Sequence, residues 1–341
     1  MKAIAYDRFG SADVLELREV AKPALGRDQV LARVRAVSPN PRDWHLMRGL
    51  PYIARVAGAG LLRPKNPVLG SDIAGEVEAV GDQVTKFTPG DEVFADVWAG
   101  GFAEYVAVPE NLLALKPANL NFEQAAAVPL AAVTALQGLR DVGEIRSGQK
   151  VLIIGASGGV GTFAVQIAAW YGADVTGVCS TRNLELVRSI GADSVIDYTR
   201  QDFMRGGQQY DLIFQLAGIA SPSEFRRVLT PNGRLVLSSG DSPGRVIGAL
   251  GRNLQAAFWS PFADQSLRPL VAKASSDDLK FLKGLIEAGS VTPVIDRTYP
   301  LSEVADAIRY LETGHARGKV VISVSAAPVA TVREGVLSEL R

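Results

Sequence analysis

The run Val151-Leu152-Ile153-Ile154-Gly155-Ala156-Ser157-Gly158-Gly159-Val160-Gly161-Thr162 constrains this chain more than any other stretch. Its four apolar residues read as a buried strand and its Gly-x-x-Gly-x-x-Gly as a sharp turn. Val160, Phe163, Ala164, Ile167 and Ala168 then follow at helical spacing. Glycines let a backbone turn tightly and approach a ligand. The unpaired N–H groups at a helix start carry partial positive charge, so such a turn suits a pyrophosphate. A tight strand–helix turn with no ligand is the plain alternative. The succession of strand, glycines, helix and a further strand favours the phosphate, and it makes Ser157, Gly158, Gly159 and Val160 the expected contacts.

The next strand bears on which dinucleotide is held. Binders of NAD usually place Asp or Glu at its end, about 20 residues past the glycines, on the ribose hydroxyls. Here the run is Val178-Cys179-Ser180-Thr181-Arg182-Asn183, with no acid. Hydroxyls and a guanidinium suit a 2′-phosphate, so Ser180, Thr181 and Arg182 point to NADPH rather than NADH. Cys179, closing an apolar strand, reads as a small buried hydrophobe and not as a nucleophile.

Composition limits the remaining choices. A length of 341 residues suggests two domains. Lys plus Arg and Asp plus Glu both total 36, so no net charge draws the chain to nucleic acid or anionic lipid. One cysteine allows no intramolecular disulfide, and two histidines, His45 and His315, supply the usual zinc constellations poorly. No signal-peptide pattern opens the sequence, and the most apolar stretch, 151–171, is too interrupted for a membrane span. A soluble, cytoplasmic, two-domain protein is expected.

The pattern changes along the chain. Up to about residue 120, short alternating runs at 30–37, 73–80, 91–96 and 102–108 indicate a mostly antiparallel β-domain. Helical composition follows over 122–142, broken by Pro129. From 150 to 237 strands alternate with helices, the pattern of a doubly wound parallel sheet. Helices over 277–288 and 302–312 and a strand over 319–324 close the pattern. The tail 325–341 reads equally as a surface helix or a loose end.

The stretches Asn40-Pro41-Arg42-Asp43, Leu69-Gly70-Ser71-Asp72-Ile73-Ala74-Gly75, Pro89-Gly90-Asp91-Glu92-Val93, Gly100-Gly101-Phe102-Ala103-Glu104-Tyr105, Gly155 to Gly161 and Gly318-Lys319-Val320-Val321 carry a resemblance. Together they resemble the medium-chain dehydrogenase/reductase superfamily, in its zinc-free quinone oxidoreductase branch related to zeta-crystallin. The resemblance implies an α/β architecture. A GroES-like, mostly antiparallel β catalytic domain (1–122 and 296–341) would pack on a Rossmann NADPH-binding domain (123–295), with the active site in the cleft. It also implies a homodimer pairing through Rossmann edges. Zinc-dependent relatives carry Cys near the place of Asn40 and Gly-His-Glu where this chain has Gly70-Ser71-Asp72. Asp72, Asp43 and His45 form a poor zinc set, so no metal is expected.

Without a Lewis acid, an acceptor that spreads its developing charge is favoured, such as a quinone or an α,β-unsaturated carbonyl. The resemblance implies Asn40 beside the nicotinamide. It makes His45 a candidate general acid where relatives often have Tyr. Asp43 reads as structural. Thr134, Tyr198, Leu216-Ala217-Gly218, Ser238-Ser239-Gly240 and Lys319 are implied as further cofactor contacts. Trp44, Tyr52, Phe258, Trp259 and Phe262 are candidate walls of the acceptor pocket. The segment 52–67 reads as a surface helix, a lid or a membrane-touching element. Competing readings are a zinc-free alcohol or acyl dehydrogenase-reductase, and a non-catalytic NADPH-binding protein.

Overall fold

The computed structural model describes residues 1–52, 55, 60–218, 221–238 and 265–324. Strands of the first part are β1 (Lys2–Ala5), β2 (Glu16–Glu19), β3 (Gln29–Ser38), β4 (Asp72–Val80), β5 (Glu92–Asp96), β6 (Tyr105–Pro109) and β7 (Ala114–Leu115). Those of the middle are β8 (Lys150–Ile154), β9 (Asp174–Cys179), β10 (Ser194–Asp197), β11 (Tyr210–Gln215), β12 (Leu229–Ser238) and β13 (Ser266–Leu270). The chain then adds β14 (Ile295–Pro300) and β15 (Lys319–Ser323).

The middle strands form a six-stranded sheet in the order β10-β9-β8-β11-β12-β13, every pair parallel. Consecutive side chains of a strand point to opposite faces, and β8 shows both faces covered. Val151 and Ile153 join the core shared with the helices Pro129–Gln137, Gly159–Trp170 and Ser276–Glu287, whereas Leu152 and Ile154 join a second core with Ile213, Leu235 and Phe225. That double burial, about 1.5–3 kcal/mol per large aliphatic side chain, is why the strand reads as an unbroken apolar run. The chain winds one way from β8 to β10 and the other way from β11 to β13. The order therefore reverses between β8 and β11, and sheets of this kind hold their ligands beyond the carboxyl ends at such a switch point.

The other large sheet runs β14-β15-β3-β4-β5-β7, with β6 also paired to β3. Only β14 and β15 are parallel to each other; the remaining pairs are antiparallel. The chain is thus a two-domain α/β fold, and β14 and β15 return to the sheet built by the N-terminal strands. Gly158, at the start of the helix after β8, forms an isolated parallel bridge with Gly318, which precedes β15.

Local structure departs from the sequence reading where turn residues hide a helix. Asn40 and Pro41 read as turn punctuation, yet Pro41–Arg48 is a helix with proline in its first turn and left-handed Gly49 (φ +61°) at its end. Pro129 does split the 122–142 stretch, into helices Phe122–Ala126 and Pro129–Gln137 followed by a wider turn at Gly138–Val142. The last helix starts as a 3-10 turn, Leu301–Glu303, before the α-helix Val304–Glu312. Among the described residues, no helix is long and apolar enough to cross a membrane. Leu61 and Leu62, within the 52–67 segment, are exposed, and so is Tyr52.

Candidate functional site

Two glycines of the turn after β8 leave no room for a side chain. Gly155 has φ +85°, and a Cβ there would lie 2.8 Å from the Ala217 Cβ after β11. A Cβ on Gly161 would come within 2.1 Å of the Gly155 carbonyl oxygen. The helix Gly159–Trp170 starts at once, so Gly158, Gly159 and Val160 sit at its N-terminal turn with Ser157 buried just before it. This is the cradle expected for a diphosphate. Across it, Gly318 donates its N–H to the Ser157 carbonyl at 2.8 Å.

The end of β9 holds the next group. Arg182 is exposed and donates from Nη2 to the His315 carbonyl at 2.6 Å, which ties this loop to the turn before β15. The Thr181 hydroxyl donates to the Asp197 carboxylate at 2.5 Å, and Thr199 bonds the same carboxylate from its N–H (3.0 Å) and hydroxyl (2.7 Å). These donors hold the Asp197 carboxyl below the usual carboxylate range. The proton of Thr181 is therefore committed, and of the two expected hydroxyls Ser180 is the one left to donate. Tyr198 is exposed beside it, its N–H on the Cys179 carbonyl. Cys179 is buried, and burial pushes its thiol up to about 11, which suits an inert side chain.

The third group lies where β15 meets β3 and β4. Lys319 follows Gly318, is 4% exposed, and runs over Gly159, where a Cβ would stand 3.0 Å from its Cδ. Its Nζ donates to Asn40 Oδ1 at 2.5 Å and lies 3.5 Å from Asp72 Oδ2. Asn40 in turn donates from Nδ2 to Asp72 Oδ2 (2.9 Å) and to the Ser38 carbonyl (3.1 Å). Asp72 also accepts the Leu130 N–H at 3.0 Å. Asn40 thus spends both ends of its amide inside the cluster, and Lys319 carries the donors that remain. Asp43, read as structural, is fully buried and accepts from the N–H of Asn40 (2.7 Å), the N–H of Gly70 (2.9 Å) and the Ser71 hydroxyl (2.8 Å). Arg42 and Asp96 pair beside it, and the guanidinium lies over the Trp98 ring at 4.4 Å.

Burial sets the electrostatics. It pushes the Asp72 carboxyl up to about 7, opposed by the Lys319 ammonium. It draws the Lys319 pKa down, opposed by Asp72. The folded protein therefore keeps a proton on Asp72 that the unfolded chain loses near pH 4, so this group's share of stability falls between about pH 4 and 7. Lys319 acts with the opposite sign at higher pH. Its share rises as pH climbs toward the ordinary lysine value of about 10.4. Urea unfolding of Asp72→Asn across this range should lack the falling limb; a slope equal to that of the unaltered chain would refute the assignment.

Other expected residues are placed less centrally. Thr134 is buried and its hydroxyl bonds back to the Leu130 carbonyl at 2.6 Å. Leu216, Ala217 and Gly218 follow β11 at the switch point of the sheet, and Ser238 ends β12. The His45 ring stacks on Trp44 with centroids 3.7 Å apart, and the bonds joining Asn40, Asp72 and Lys319 do not involve it. Tyr52 lies by Arg55, 5.0 Å from its guanidinium. Ser239, Gly240, Phe258, Trp259 and Phe262 lie outside the described residues. Sequence reading missed Asp72 as the anchor of Asn40, and it missed Asn183 and Asp197. The signal for Asp72 was an acid at the buried entry of an otherwise apolar start of β4.

The donor set does not fit zinc. Where Asn40 and Asp72 converge the third member is an ammonium, which repels a second cation and brings no lone pair while protonated.

Two family models match: an alcohol dehydrogenase GroES-like domain over residues 26–118 and a zinc-binding dehydrogenase over 190–322. The chain is 38% identical over 336 residues to an NADPH-dependent alkenal/one oxidoreductase of Arabidopsis thaliana, covering 94% of this chain and 79% of that protein. Identity and coverage are the same for a 2-methylene-furan-3-one reductase of Solanum lycopersicum. Among solved structures, the quinone oxidoreductase from Coxiella burnetii superposes with a TM-score of 0.82 at 31% identity, covering 95% of this chain and 99% of that one. Relatives of this identity over nearly the whole chain show that it belongs to the medium-chain dehydrogenase/reductase superfamily, in its zinc-free quinone oxidoreductase branch.

Proposed function

We propose that this protein is an NADPH-dependent, zinc-free reductase of conjugated carbonyl acceptors, quinones or α,β-unsaturated carbonyls. The observation that carries the reading is the position of Lys319: the preceding Gly318 pairs with the glycine turn while the Lys319 ammonium stands at Asn40 and Asp72. The cofactor fits a cradle in which a Cβ on Gly161 would collide with backbone, with Arg182 at the end of the next strand for a 2′-phosphate. Bound there, NADPH supplies the hydride for the conjugated carbon.

The chain's own residues then handle charge and protons. Asn40 and Asp72 fix the direction of Lys319 Nζ, and a preorganised ammonium stabilises the oxyanion that a conjugated acceptor develops. Burial lowers the cost of releasing a proton from Nζ, so the same group can protonate the reduced acceptor. An acceptor with delocalised charge needs no stronger electrophile. We place the nucleotide in the 123–295 unit and the acceptor between it and the unit of 1–122 with 296–341. His45 remains a second proton carrier under this proposal, and Trp44 and Tyr52 outlying parts of the acceptor wall.

NADPH oxidation measured with a panel of quinones, enones and saturated aldehydes should show turnover with the conjugated acceptors only; turnover confined to aldehydes would overturn the acceptor class. Arg182→Ala should weaken NADPH by about tenfold or more and leave NADH nearly unchanged, since one charge-assisted contact is lost only with the 2′-phosphate. Equal losses would contradict that contact. We further propose a homodimer pairing through the β13 side of the parallel sheet; light scattering returning the mass of a single chain would rule it out.

A further inference from the structure

Asn183 was not among the expected site residues, yet it is 4% exposed and stands between the phosphate turn and the end of β9. Its Nδ2 donates to the Ser157 hydroxyl oxygen at 2.9 Å and to the Ser180 hydroxyl oxygen at 3.2 Å. Its Oδ1 is buried and has no hydrogen-bond partner. A hydroxyl has one proton and two lone pairs. When its oxygen accepts from an amide, its proton is left to point elsewhere. One amide group therefore sets the orientation of two serines on different strand ends, and an unpartnered carbonyl is the cost of that choice.

We propose that Asn183 is a positioning residue for the dinucleotide, holding the Ser157 and Ser180 hydroxyls as acceptors so that both of their protons face cofactor oxygens. Ser157 stands in the glycine turn and serves the pyrophosphate; Ser180 follows β9 and serves the ribose phosphate. The inference rests on the NADPH reading above and deepens it. It also gives the Ser180 end its donor, because Thr181 has given its proton to Asp197. Turned the other way, the Asn183 carbonyl would draw both hydroxyl protons away from the cofactor, leaving lone pairs to face phosphate oxygens.

Asn183→Asp tests this, because a carboxylate of the same shape only accepts and would draw both serine protons inward. Direct NADPH titration by calorimetry on purified, folded protein is the readout. Asn183→Asp should bind NADPH at least ~10-fold more weakly, as should the Ser157→Ala/Ser180→Ala pair. In the triple variant the aspartate should add less than ~3-fold, since there are no hydroxyls left to turn. A mere charge effect would persist undiminished without the serines, and that result overturns the proposal. So does a serine pair that binds like the unaltered chain. Should Asn183→Asp fail to fold by thermal melt, Asn183→Ala is read in the same cycle: the loss it causes should vanish when both serines are already alanine, and a loss that persists there, or no loss at all, overturns the proposal. Failure of the unaltered chain to bind NADPH would sink the cofactor reading itself, a different outcome from an additive cycle.

Discussion

Lys319→Met should lower kcat/KM for a conjugated acceptor by at least ~100-fold at saturating NADPH, about 3 kcal/mol of transition-state stabilisation. Methionine keeps the length and apolar stem that lie over Gly159 and removes only the charge and its protons. Loss of the charge leaves Asp72 buried without its cation, so Tm should fall as well. The informative quantity is the split between kcat and the NADPH dissociation constant. Cofactor affinity should change only a few-fold, because the backbone bond from Gly318 to Ser157 does not depend on the side chain. Unchanged turnover in a folded variant would remove Lys319 from the chemistry, and the acceptor mechanism with it.

Gly161→Ala should abolish cofactor binding, measured by titration, with an NADPH affinity at least ~100-fold weaker. The added methyl would stand 2.1 Å from the Gly155 carbonyl oxygen and 2.8 Å from Ala156 Cα, and neither is the end of a flexible side chain that can move aside. The turn must open, and overpacking of this kind costs about 1–3 kcal/mol even before the phosphate contacts are lost. Gly158 gives a fair comparison, since a Cβ there meets only the Gly155 oxygen at 3.4 Å, an ordinary contact. Gly158→Ala should therefore bind NADPH far better than Gly161→Ala. Similar behaviour of the two would mean that the turn is not held by this close approach.

The two sheets were legible because each carries its own period. β8 and β11 are buried on both faces and read as unbroken apolar runs, while β3 and β4 alternate wherever one face is less covered. The helix Pro41–Arg48 was not read, although proline in the first turn and Gly49 past the end are sound signals. Two prolines and an asparagine within three residues looked like a turn first. The phosphate turn was legible because its requirement is local. The Asn40, Asp72 and Lys319 cluster was only half legible, because Lys319 lies 279 residues from Asn40 and no spacing rule links them. Asn183 had no signal at all: its role depends on which hydroxyls surround it, a matter of three dimensions.

The bond from Gly318 to Ser157 ties the turn after β8 to the residue that precedes Lys319. One short stretch of chain is anchored to the glycine turn through its main chain and, in the proposed mechanism, serves the acceptor through the side chain of the next residue. Any disturbance that slackens the cradle must also tilt that ammonium. Variants selected in this enzyme for altered coenzyme preference will therefore carry a penalty in turnover, even when no residue near the acceptor has been touched.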